Sequence, residues 1–540
     1  MPVLVTGFAA PDGATLPLKA LSAHLGVTVA ELGEVVLVKR SLDARQRQKK
    51  WTANYRVELP GGDQDVLARG PAGVRPWTVR DDGRYGLVDP LPPRPHTFPA
   101  RVRPLIVGAG PAGLFAALRL AEAGAPGVLI ERGGAVESRV PSVNAFWRGR
   151  PLDPESNVVY GEGGAGTFSD GKIYTRRRDG ELGYIFHRLV AFGADRTALQ
   201  EAWAHLGTDK VRAMLPRIRS RLQSLGVEVR FNTTVTDFVV EGARCVGVTL
   251  AGGEVLRGGP VLVATGHSAR DTYRALLRAG APAVLRPISI GARIEHPQAL
   301  IDRARYRGER GGLPPASYRL TTEKGRQAGT GRPAHTFCMC PGGMVVPATN
   351  HEGRVVVNGM SFAARRAFWA NSAVIVQVSA AEFPGTDPEA GLRFQDALET
   401  RAFALGGEAY AAPAQRVQDL LAGRASQELP RTSYPQGVVA SDLRELFPES
   451  LVQGLIRAVR LFDKKLPGFA GPEAVFIAPE TRTTAPLRFL RDDTMHSSGV
   501  RDLIPIGEGA GYAGGIVSAA LDGLRAANSV IAEHGVGAGA

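Results

Sequence analysis

The stretch that decides the fold is Val102-Arg103-Pro104-Leu105-Ile106-Val107-Gly108-Ala109-Gly110-Pro111-Ala112-Gly113-Leu114-Phe115. It opens on a short apolar run of the kind buried in a parallel sheet. It then crosses a Gly-x-Gly-x-x-Gly turn and enters a helical pattern through Leu114, Phe115 and Leu118. Gly124 predicts the end of that helix, and a second strand, Val128–Ile130, runs into Glu131, 23 residues beyond Gly108. Strand, glycines, helix and acid in that order are the dinucleotide-binding fingerprint. Gly108 permits the tight turn, Gly110 lets a pyrophosphate reach the backbone, and Gly113 lets the helix lie close to the sheet. Pro111 and Ala112 form the first helical turn, where the missing proline N–H costs nothing. The bare N–H groups there suit phosphate. Glu131 is placed to accept from both ribose hydroxyls, and Arg132 beside it is counted with the cofactor site.

The choice between FAD and NAD turns on the far end of the chain. Ile504-Pro505-Ile506-Gly507-Glu508-Gly509-Ala510-Gly511-Tyr512-Ala513-Gly514-Gly515 leads into a helix starting at Ile516. A Gly-rich backbone can lie against a large flat ring. The positive end of the following helix stabilises negative charge on a reduced flavin. Two sites at opposite ends of the chain that meet on one cofactor are what FAD needs along its length. Gly507, Glu508, Gly514, Gly515 and Ile516 are therefore expected at a non-covalently held FAD.

Around this frame the chain divides. Asp89–Pro99 holds five prolines in eleven residues, which reads as a stiff linker unable to pair in a sheet. Before it, a helix over Leu16–Leu25 and strands over Glu34–Leu42 and Ala53–Leu59 predict a small α+β unit. The expected fold is α/β: a Rossmann-type FAD/NAD(P)-binding domain with an inserted mixed α+β substrate domain and a small N-terminal α+β domain. The expected boundaries are 1–98 for the N-terminal domain with its linker, 99–285 for the first FAD-binding part, 286–469 for the substrate or cap domain, and 470–540 for the second FAD-binding part.

At 540 residues the chain is too long for one hydrophobic core. Its net charge of +13 comes chiefly from arginine, because only nine of the 65 cations are lysine. That surplus is spread along the chain, so nucleic acid is disfavoured as a partner. Three cysteines exclude a disulfide framework. With no signal peptide and no apolar run long enough to cross a bilayer, a cytoplasmic location is expected.

Long motifs carry a family resemblance. These include Asn157–Tyr174, His205–Lys210, Gly266–Thr272, Gly291–Pro297, Phe337–Gly343, Val357–Ser361, Glu480–Thr484, Gly507–Ala519 and, near the start, Lys39–Arg45. They resemble a largely uncharacterised bacterial family of FAD-dependent dehydrogenase-like proteins within the glutathione-reductase-type superfamily, distantly similar to geranylgeranyl reductases and fumarate reductase flavoproteins. The resemblance implies an oxidoreductase. It implies that Gly163, Gly164, Gly166 and Thr167 lie beside the ribityl chain and ring, with Ser169, Asp170 and Lys172 near flavin N5. It also implies that the backbone of Val235 meets the adenine and that Thr265 and Gly266 border the cofactor.

For chemistry, His267 and His296 are the general-acid candidates, because histidine titrates near neutrality. Arg293 and Arg482 are the cationic candidates, and Arg365, Asn371 and Arg482 form a possible anchor for an anionic substrate. Cys338-Met339-Cys340-Pro341-Gly342-Gly343 reads as a tight turn beside the active site, with redox or metal use as the sharper alternative. No second fingerprint follows, so NAD(P)H is expected only as a transient donor, or electrons come from a protein carrier. The expected activity is hydride transfer through flavin N5 to or from a carbon–carbon or carbon–nitrogen bond of a small molecule. A flavoenzyme acting on RNA and a non-catalytic flavin-binding protein remain as alternatives.

Overall fold

The structure, a computed structural model, describes residues 2–10, 16–43, 49–87, 89–93, 95–175, 179–201, 203–322 and 332–537. Ala44 and Arg45 of the Lys39–Arg45 motif, and Arg94 of the proline-rich stretch, lie outside them. The chain forms two compact units, residues 1–92 with 172–206, and residues 93–171 with 207–540. Residues 172–206, assigned by sequence to the first FAD-binding part, group with the N-terminal unit.

The first unit is α+β. Its four-stranded antiparallel sheet runs Val35–Asp43, Lys50–Val57, Val3–Ala10, Val74–Pro76. Helix Leu18–Leu25 stops at Gly26, whose φ of 65° suits a left-handed cap. Alternation along the strands turns Val3, Val5, Ala53, Tyr55 and Val57 onto Leu21, Leu25 and Val66.

The second unit holds the fingerprint. Five parallel strands lie in the order Leu503–Pro505, Val261–Val263, Leu105–Val107, Val128–Ile130, Glu228–Arg230. The central strands are buried on both faces, as their unbroken apolar runs require. Helix Pro111–Glu122 and the closing helix Ile516–His534 pack together.

A seven-stranded sheet follows in the order Val357–Met360, Ala334–Pro347, Trp369–Val378, Ile288–Pro297, Val475–Glu480, Ala412–Arg416, Val438–Ala440. Strand Val475–Glu480, which the sequence places in the returning FAD part, pairs within this sheet between Ile288–Pro297 and Ala412–Arg416.

Two expectations need correction. His96–Thr97, inside the proline-rich stretch, pairs antiparallel with Val536–Gly537. Prolines remove donors only at their own positions, and these two residues keep theirs. Cys338–Gly343 is no tight turn but part of strand Ala334–Pro347, with its register shifted on both sides of Cys340. Among the described residues no helix is long and apolar enough to cross a membrane, and no cluster of metal-ligating side chains occurs.

Candidate functional site: a bare-backbone cradle

Three glycine-rich stretches far apart in sequence come together. Gly108 has φ +106°, and a Cβ there would come within 2.5 Å of the Ala264 carbonyl. A Cβ on Gly113 would collide with the Gly108 carbonyl, which fixes how closely the helix sits on the turn. The second stretch packs on the first: the Gly163 N–H donates to the Ala109 carbonyl at 2.8 Å, and a Cβ on Gly164 would lie 3.1 Å from Gly110 Cα. The third closes from the other side. Ala112 faces Gly507 and Gly523, Gly166 faces Ile516, and Gly509 abuts Gly266. Thr265 and Gly266 follow strand Val261–Val263 at its C-terminal end, where open α/β sheets place ligands.

Other glycines are not explained by the chain. A Cβ on Gly110 would meet nothing nearer than 3.9 Å, and one on Gly514 would meet nothing within 4 Å. Neither has a positive φ. Helices Pro111–Glu122 and Ile516–His534 begin at Gly110 and Gly515 with no side-chain cap from either. Bare backbone and uncapped N–H groups around one site fit the pyrophosphate and flat ring of FAD. Gly514→Ala should therefore leave the unfolding midpoint of the apoprotein unchanged. It should weaken FAD binding about 10- to 100-fold, or ~1.4–2.8 kcal/mol, measurable by fluorescence titration of FAD into apoprotein.

Glu131 is buried, and its carboxylate accepts from the backbone N–H groups of Ala109 (2.7 Å), Gly133 (3.0 Å) and Gly161 (2.8 Å). A carboxylate has about four acceptor positions. Three serve to bind the fingerprint to the second glycine loop, leaving room for one ribose hydroxyl and not for two. Arg132 is paired bidentately with Asp271 and stacks 4.5 Å over the Tyr160 ring.

The loop itself is held by a residue that sequence reasoning missed. Arg139, wholly buried, donates to the carbonyls of Asn157 (2.8 Å), Val158 (2.8 Å) and Glu162 (2.6 Å). It also donates to the Thr167 hydroxyl at 3.2 Å, which itself donates to the Glu162 carbonyl. Thr167 is thus a brace of the loop. Ser169 donates to the Gly166 carbonyl and accepts from the Gly171 N–H. Asp170 is buried against Ser361 and Arg365. Lys172 belongs to the other unit. Val235 starts strand Val235–Glu241, with its side chain in the same buried core as Val107 and Ile130 and its backbone left for the adenine.

Of the catalytic candidates, one stands near the cradle. His267 follows Gly266, its Nδ1 3.3 Å from Ser268 Oγ and its Nε2 3.9 Å from the Glu508 carboxylate. Burial, then Arg482 and Arg270, pull its pKa down to about 4, so it is neutral at pH 7. Burial pushes Glu508 up to about 7. Around them lie groups unnoticed in the sequence. Tyr160 donates to the Ser268 carbonyl at 3.0 Å, and Asn350 links that carbonyl to Arg482.

The other three candidates are structural. His296 is fully buried and hydrogen-bonded through Nε2 to the Phe469 carbonyl at 2.8 Å. A carbonyl only accepts, so Nε2 carries the proton. Burial drives the pKa to about 4, which excludes a general acid at neutrality. Arg293 commits its donors inside the sheet, to Glu480 (2.5 and 3.2 Å) and to Cys338 O, Asn371 Oδ1 and Asn358 Oδ1 (2.9 Å each). All five N–H groups are thereby used, and none is left for a substrate. Asn371 is buried as its acceptor. Arg482 grips Glu399 with Nε and Nη2 at 2.9 and 2.7 Å, and Arg270 meets the same carboxylate at 3.2 Å. Its main partner is that buried carboxylate.

Comparison with known proteins agrees with the geometry. Residues 103–148, which carry the fingerprint, match an FAD binding domain, and residues 287–483 match the family described as FAD-dependent protein, C-terminal domain-like. An uncharacterized protein of Clostridium beijerinckii is 42% identical over 517 residues, covering 95% of each chain. Among solved structures, a geranylgeranyl bacteriochlorophyll reductase-like protein of Thermoplasma acidophilum shows 13% identity over 80% of this chain and 78% of that one, with a TM-score of 0.35. CtdE in complex with FAD shows 12% identity over 80% and 84%, with a TM-score of 0.30. Structural likeness this low carries no argument about chemistry. At 42% identity along nearly its whole length, the chain belongs with the Clostridium protein to one family of FAD-dependent proteins, and it is an FAD-dependent oxidoreductase.

Proposed function

We propose that the chain transfers hydride between bound FAD and a carbon–carbon or carbon–nitrogen bond of an anionic small molecule. Bound FAD supplies the hydride acceptor or donor. The observation that carries the reading is the pair His267 and Glu508, 3.9 Å apart beside the cradle, the first neutral and the second poised to titrate near 7. Glu508 sits in the glycine-rich stretch before the closing helix, so it holds a proton where that stretch meets the cofactor. Below pH 7 it delivers the proton that accompanies hydride addition, and above pH 7 it has none to give. Ser268 hydrogen-bonds His267 Nδ1 and so holds the ring with Nε2 toward Glu508. Arg482 and Arg270 lower the pKa of His267, so the potential there favours an anion.

Electrons are expected from NADH or NADPH binding transiently, or from a protein carrier. Anaerobic reduction of the flavin by each nucleotide, followed by reoxidation with unsaturated acids, tests the reading. Failure of every pair to turn over would favour a non-catalytic role. With an active pair, the wild-type rate should fall about tenfold per pH unit above ~7. Glu508→Gln should be slower by roughly 100-fold or more with a flat profile. A variant that keeps the wild-type pH limb would remove Glu508 from the proton path.

A further inference from the structure

Cys338 and Cys340 are unused by this scheme, and their surroundings are unusual. The strand carrying them slips register on both sides of Cys340. Cys338 has φ +43°, a backbone conformation that costs a side-chain-bearing residue and persists only where neighbours impose it. The neighbour here is Arg293, whose Nη1 donates to the Cys338 carbonyl at 2.9 Å and lies 3.9 Å from Cys340 Sγ. Cys340 Sγ turns back toward the same carbonyl, 3.3 Å away. Residues two apart on a strand share a face. The kink thus sets the Cys340 sulfur against the backbone of Cys338. No disulfide joins them in the structure. Cys340 is fully buried, whereas Cys338 is half-buried. An added Cβ on Gly343 would lie 3.1 Å from both Cys340 Cβ and Ser361 Cβ, and the Ser361 hydroxyl donates to Asp170 in the loop stretch expected beside the flavin.

We infer that Cys338 and Cys340 form a redox-active dithiol that exchanges an electron pair with the bound FAD. The step balances. As the S–S bond forms, the two thiols lose two electrons and two protons. FAD takes both electrons and one proton, and the second proton leaves to solvent. In reverse, reduced FAD cleaves the disulfide and restores both thiols. The chain would then store two electron pairs, one on the flavin and one on sulfur.

The inference rests on the FAD site and not on any substrate, so its test needs none. Holoprotein oxidised in air is titrated anaerobically with dithionite while the flavin absorbance is followed, and peptide mapping after alkylation locates thiols before and after. The expected result is four electrons per FAD for the wild type and two for Cys338→Ser and Cys340→Ala. A Cys338–Cys340 disulfide should appear only in the oxidised protein. Two electrons per FAD in the wild type, or both cysteines alkylated in the oxidised holoprotein, would overturn it. A disulfide that survives full flavin reduction would overturn it equally. Absence of turnover with unsaturated acids, beside a four-electron titration, would count against the hydride-transfer reading alone.

Discussion

Arg139→Met is expected to yield a protein that purifies without FAD and unfolds at markedly lower urea concentration. Arg139 lies in helix Val136–Trp147 and is fully buried. Burial lowers its pKa to about 9, so it remains a cation at neutral pH. It donates to three backbone carbonyls and one hydroxyl between Asn157 and Thr167. Methionine fills similar space but strands the Asn157 and Val158 carbonyls in the interior, at ~1–3 kcal/mol each. Two such penalties are a sizeable part of the ~5–15 kcal/mol that holds a typical domain folded. The loop they shape places Gly163 and Gly164 against Ala109 and Gly110. Arg139→Lys keeps the charge but not the planar fork, and it should still lose at least about 100-fold in FAD affinity. Stoichiometric FAD and an unchanged urea midpoint in Arg139→Met would refute the assignment.

Glu399→Gln should be the next most damaging change. Burial pushes the Glu399 carboxyl up, but Arg482 and Arg270 outweigh it and hold the group at about 2. Thr481 adds a hydrogen bond at 2.7 Å. Removing the charge leaves two buried guanidinium groups facing an amide, a loss of about 3–5 kcal/mol. The pH dependence has a definite sign. The folded pKa lies below the unfolded value of ~4.3, so the contribution is complete above that pH and is lost as pH falls toward 2. It amounts to roughly 3 kcal/mol. Urea midpoints measured from pH 6 down to 3 should fall more steeply for the wild type than for Glu399→Gln. Equal midpoints at pH 7 would show that the carboxylate contributes nothing.

Parts of this were legible in sequence because they are local. Strand Leu105–Val107, its glycine turn and helix Pro111–Glu122 follow one another within eighteen residues, and each announces itself by its own side chains. The closing stretch Gly507–Ile516 was legible for the same reason. Arg139 left a fainter trace. It lies on the same helical face as Val136, Val143 and Phe146, all buried, so its spacing alone marks an arginine facing inward. What it holds lies some twenty residues away and has no local signature. Arg293, His296 and Arg482 show the opposite failure. Their residue types suggest chemistry, but type does not reveal how many donors are already committed. Only the positions of Glu480, Phe469 and Glu399 do that.

The parallel sheet has one more consequence, for the order in which the molecule is made. Its edge strand Leu503–Pro505 and the cradle wall Gly507–Ile516 leave the ribosome hundreds of residues after the fingerprint they complete. Contacts of such long sequence separation form late. A nascent chain that has already folded strands Leu105–Val107 and Val128–Ile130 therefore holds half a dinucleotide site and cannot retain the flavin. Loading waits until Gly507–Ile516 has emerged, so chains truncated before Leu503 should bind no flavin.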